Sequence, residues 1–148
     1  MMKKLLISFI ALVAFLAGCN QSVSQEDSHG DIAKLAYEWE VAYFDNDYKR
    51  EQELLYEEGS FEVHKTREKK NSGLKYEDIR YEIYYDKESD FYYVLVDFKN
   101  PVGENSVEEE LLIRKKDDEW KVDTSKSLDI DRDEVKKEFE RKACIHCE

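Results

Sequence analysis

The sequence predicts an α+β domain: N-terminal helices packed on a curved antiparallel sheet of about four strands, with a short C-terminal helix. Three observations lead there. Apolar residues recur at helical spacing as far as about residue 57, the period drops to two from Asp78, and short polar turns separate the alternating runs that follow. Neighbouring strands joined by short turns pair antiparallel, so the runs form a meander, and helices that precede it cover one of its faces.

The first helix is read from Ile32, Leu35, Ala36, Trp39, Ala42 and Tyr43, which share one face, with Asp31 or Ser28 able to cap its start. Asp45, Asn46 and Asp47 interrupt the pattern. Residues 48–57 resume it as a second helix with Leu54 and Leu55 inward, and a third, weaker helical segment is expected over residues 60–70 on Phe61 and Val63. In the strand half, Ile79, Tyr81, Ile83 and Tyr85 alternate with polar neighbours. Residues 91–99 form an aromatic and β-branched run, and residues 107–114 and 119–123 supply two more strands around Lys116, Asp117 and Asp118. Trp39 and Trp120 both fall on apolar faces and are expected to be largely buried.

The order of helical hairpin, strands and a closing pair running from Leu111 to Val122 through Asp117, Asp118, Glu119 and Trp120 resembles the nuclear transport factor 2-like superfamily, over residues 31–125. The resemblance implies a cone of helices and bent sheet. Enzymes of that fold, such as ketosteroid isomerase, use a carboxylate base and a hydrogen-bonding acid inside the cone. The nearest candidate is Asp97, with Tyr81, Tyr85 and Tyr93 as potential donors. Alternation sets Asp97 on the face of Phe91, Tyr93 and Leu95, opposite Tyr92, Val94, Val96 and Phe98, so a core built from the even-numbered residues leaves Asp97 in solvent. No catalytic residue and no cofactor are assigned on this basis, because fold alone does not license function.

The N-terminus carries an address. Lys3 and Lys4 precede an apolar run over residues 5–17, broken only by Ser8; at thirteen residues it is shorter than the roughly 20 a membrane-spanning helix needs. Leu16, Ala17, Gly18 and Cys19 resemble the lipobox of bacterial lipoproteins. That resemblance implies a signal peptide over residues 1–18 and lipidation of Cys19, with the protein held on the extracytoplasmic face of the cell membrane. Paired acyl chains anchor stably because each buried CH₂ contributes about 0.8 kcal/mol. Residues 19–30 have the composition of a flexible lipidated tether. Loss of residues 1–18 removes two lysines and no acid, leaving 21 basic and 35 acidic residues, a net charge of −14. Such a surface excludes nucleic acid and disfavours anionic polymers as partners.

Chemistry-bearing residues are sparse. His29, His64 and His146 lie far apart, without a nucleophile arranged beside them, apart from the C-terminal Cys144-Ile145-His146-Cys147. That C-x-x-C pair can close a disulfide, remain inert, or supply two metal ligands; export favours oxidation, and no second ligand pair completes a zinc site. Asp129, Asp131, Asp133 and Glu140 match ligand positions of a calcium loop, but its sixth position is Glu134 where a glycine is required. A helix over residues 131–142 with Val135 and Phe139 inward explains the same residues. Residues 126–148 are therefore expected to form an acidic helix and a tail dispensable for folding. The functional expectation is an envelope-tethered binding module for a small apolar ligand or another envelope protein. A small-molecule enzyme using the cone, or a metal or redox accessory protein using the tail, are the alternatives.

Overall fold

The computed structural model describes residues 25–148, with side chains from His29 onward; the expected signal peptide and Cys19 lie outside the described residues. Helix α1 (Gln25–Asp45) is followed by α2 (Tyr48–Leu54), a 3₁₀ turn at Tyr76–Asp78, and strands β1 (Ile79–Asp86), β2 (Phe91–Lys99), β3 (Ser106–Lys116) and β4 (Glu119–Val122). Two short helices, α3 (Thr124–Ser127) and α4 (Arg132–Glu138), then lead to a fifth strand, β5 (Arg141–Ile145). The class is α+β, and the sheet is antiparallel in the order β4-β3-β2-β1-β5.

The main core lies between α1 and the sheet. Ile32, Ala33, Ala36, Trp39 and Ala42 meet Tyr81, Ile83, Tyr92, Val94, Val96, Leu111 and Ile113, so the even-numbered residues of β2 do point at the helix. Helix α1 starts earlier than its apolar face suggested: residues 25–30, expected to be tether, are helical, and His29 is buried edge-on to Tyr92. Asp47 caps α2 by accepting from the Arg50 amide. The tight β3–β4 turn holds Asp117 and Asp118 at positive φ, a conformation that Asp tolerates better than most residues.

Three expectations fail. Residues 60–70 form successive turns rather than a helix, because their polar groups are used elsewhere. The Lys70 amide donates to the Asp45 carbonyl, the Ser72 amide to the Asp45 side chain, and Asn46 to the Glu68 carbonyl, tying the segment to the end of α1. Trp120 is only half-buried, edge-on to Tyr92 and covered by the Lys115 ammonium. The C-terminal region is no appendage. Helix α4 ends at Glu138, buries Val135 against Tyr84 and Leu95 on the sheet face away from α1, and delivers β5 to the free edge of β1. Residues 132–145 thus cover and extend the sheet of residues 79–122, whose far face is apolar at Leu95 and needs a cover.

Candidate functional site

Each sequence candidate has a structural occupation. Asp97 is half-buried on the α4 side, where Arg132 donates to it at 2.5 Å and to Glu110 at 2.6 Å. It is held in an ion pair at the edge of solvent and is not hydrogen-bonded to the tyrosines. Tyr81 points to the opposite face, Tyr93 lies tilted against Phe139, and Tyr85 donates to Asp90, which holds the phenol up at about 12. His29 is packed in the core and His146 bonds the Ile79 carbonyl through Nδ1. Cys144, paired with Glu82 inside β5, and Cys147, just past the strand, are joined in a disulfide with Cα atoms 5.6 Å apart. The Asp131 carboxylate caps α4 by accepting from the amides of Asp133 and Glu134. Among the described residues no three His, Cys, Asp or Glu side chains gather to hold a metal ion.

A different place gathers chemistry. Strand β4 covers the Ile113–Lys116 stretch of β3, with Val122 also bridging Leu55, and the chain then turns away because Asp123 caps α3. Leu112 faces that side, accepting from the Asp123 amide and donating to Ser127 Oγ. Beyond it the edge of β3 has no neighbouring strand among the described residues, and an open cleft of about 700 Å³ lies there. One wall is aromatic: Trp39 and Tyr43 of α1 and Phe61, with Phe61 edge-on to Trp39 at 5.5 Å and tilted against Tyr43 at 5.9 Å. The other wall carries Glu108, Glu109 and Glu110, and residues 124–130 close the end with hydroxyls and the apolar Leu128 and Ile130. Among the described residues no lysine, arginine or histidine lines it.

Behind Glu109 stands Glu40, fully buried in α1. Their carboxyl groups meet, yet among the described residues no donor reaches either Glu40 oxygen. Ionising both carboxyls in so buried a place is disfavoured, so the arrangement favours one proton held between them. Burial drives both above the ordinary carboxylate range, Glu40 well above it; the neighbouring Glu109 carboxylate raises Glu40 further, and Glu110 raises Glu109. Burial, then Glu109 and Glu40, also raises Tyr43.

A second buried pair supports the aromatic wall from behind. Glu51 of α2 and His64 Nδ1 lie 2.5 Å apart, and the His64 ring is edge-on to both Tyr43 and Phe61. Burial raises Glu51, against the lowering effect of His64.

Glu40, Glu51 and Glu109 were missed in the sequence, although a pattern was there. Each is an acid standing in an apolar stripe: Glu40 among Ala33, Ala36 and Tyr43, Glu51 before Leu54 and Leu55, Glu109 between Val107 and Leu111. What the chain forms is thus an α+β domain with an acidic, aromatic-walled cleft at an incomplete sheet edge. No protein-family model, no curated protein and no solved structure matches the chain. Among the described residues no helix is long and apolar enough to cross a membrane.

Proposed function

We propose that the protein is a lipid-anchored binding module of the cell envelope, and that the cleft beside β3 is its binding site. The cleft carries this reading. Its volume suits a small molecule or one side chain of a partner, and it combines an apolar wall with a few convergent polar groups. The basic and apolar N-terminus ending in Ala17, Gly18 and Cys19 supports the anchor, and the resemblance to nuclear transport factor 2-like domains supports a pocketed α+β body. The test uses Trp39, which lines the cleft, as reporter in a Trp120→Phe background. An apolar dye such as anilinonaphthalene sulfonamide is expected to quench it saturably, and Phe61→Ala to weaken that binding about tenfold. Saturable binding that ignores Phe61→Ala would put the site elsewhere.

A small-molecule enzyme is the second reading, and the Glu40–Glu109 pair favours it, since a carboxyl held protonated can serve as a general acid. Binding is preferred because Glu40 is sealed behind Glu109 and offers the cleft no second catalytic group.

A further inference from the structure

We propose that the cleft takes an organic ammonium cation, which pairs with Glu109 at the cleft wall, with Glu40 behind it as the second counter-charge, in place of the proton the two carboxyls hold between them when the cleft is empty. This deepens the binding-module reading and rests on it.

Four observations converge. Glu40 is fully buried, and apart from the Glu109 carboxyl no group of the described residues reaches its oxygens, so the pair keeps acceptor capacity to spare. Glu109, its partner, lines the cleft and can pass that demand to a bound molecule. The lining is acidic, with no basic side chain among the described residues, so it repels anions and attracts cations. Trp39, Tyr43 and Phe61 form a continuous aromatic wall, and ring faces attract organic cations. A hard divalent metal fits poorly, because it would want six or more oxygen ligands, and no three acidic or imidazole side chains gather here among the described residues.

The exchange balances. The empty site holds one proton between two carboxyls, a net charge of −1. Binding one ammonium and releasing that proton to solvent leaves two carboxylates and one cation, again −1. Other groups around the pair do not replace this proton. Tyr43 from α1 and Tyr81 from β1 are raised by burial and stay neutral. On β3, Glu110 is engaged by Arg132 of α4, which also donates to the Glu109 carbonyl, and Glu108 is exposed. Glu51 is occupied with His64, and Arg67 acts on Tyr43 from the turn segment.

The experiment is calorimetric titration of the full chain in detergent with benzylammonium and with benzyl alcohol, its neutral counterpart, in two buffers of different ionisation enthalpy. Benzylammonium is expected to bind at least tenfold more tightly, to release close to one proton, and to gain affinity as pH rises from 5 to 7. Glu109→Gln should lower cation affinity at least tenfold and leave benzyl alcohol unchanged. Glu40→Gln should keep cation binding but abolish proton release, a result a merely structural role would not produce. Equal affinity for the two probes, or cation binding whose proton release survives both substitutions, overturns the cation assignment while leaving the cleft a binding site. If neither probe binds at millimolar concentration, the cation assignment falls, and dye quenching of Trp39 decides separately whether the cleft binds anything.

Discussion

Glu40 and Glu109 bind their shared proton more tightly in the folded domain than in the unfolded chain, because burial penalises their charged forms. The stabilising share of such a proton is complete below the ordinary glutamate range, about pH 4.3, and is lost as pH rises through the elevated folded value. Glu51, also raised, contributes with the same sign. Stability is therefore expected to fall as pH climbs from about 4.3 toward neutrality. Glu40→Gln supplies Glu109 with a donor and should flatten part of that slope. At pH 7 it should raise the melting temperature by several degrees, the equivalent of roughly 1 kcal/mol. An unchanged slope would show that the pair holds no proton. His64→Ala acts in the opposite direction: it leaves the Glu51 carboxyl buried without its partner, a loss of about 3–5 kcal/mol measurable by urea unfolding at pH 7.

At the scale of elements, the C-terminal region decides most. Helix α4 covers Leu95 and Tyr84, β5 completes the β1 edge, and Arg132 ties α4 to both Asp97 and Glu110. Deleting residues 126–148 would uncover an apolar sheet face and open a strand edge to other chains. The truncated domain is expected to melt many degrees below the full chain, or without a cooperative transition, and to aggregate on concentration. A melt matching the full-length protein would show that the α4 side contributes nothing. The disulfide has a smaller part. It closes a loop of sequence separation 3, so reduction should cost at most about 2 kcal/mol, read as a modest drop in melting temperature with dithiothreitol.

For the whole molecule, the expected anchor and the described domain make separable predictions. The Cys19→Ala variant is expected to lose palmitate labelling and detergent partitioning while its domain retains the wild-type melt. Equal labelling of the two forms would remove the lipid anchor from the proposal. The two tryptophans report on the domain itself. Trp39, 3% exposed, should resist acrylamide quenching, whereas the half-buried Trp120 should not.

The sequence by itself determined the class of the fold and most of its meander, because helical and strand periods are local and the faces they define survive packing. It determined the Asp117-Asp118 turn for the same reason and divided β2 into two faces, of which packing on α1 chose the inward one. Tertiary structure alone decided where the tail goes. Residues 141–145 carry no strong pattern, and they become a strand because the edge of β1 offers unpaired backbone groups beside them. It likewise turned residues 60–70 from a weak helix into a strap on the end of α1. The cleft is the clearest case. Glu40 and Glu109 lie 69 positions apart in the sequence. Each occupies an apolar stripe that local reasoning assigns to the core, and only the packing of α1 on β3 brings their carboxyls together. Burial and proximity create the shared proton, and neither is a property of any short stretch of chain.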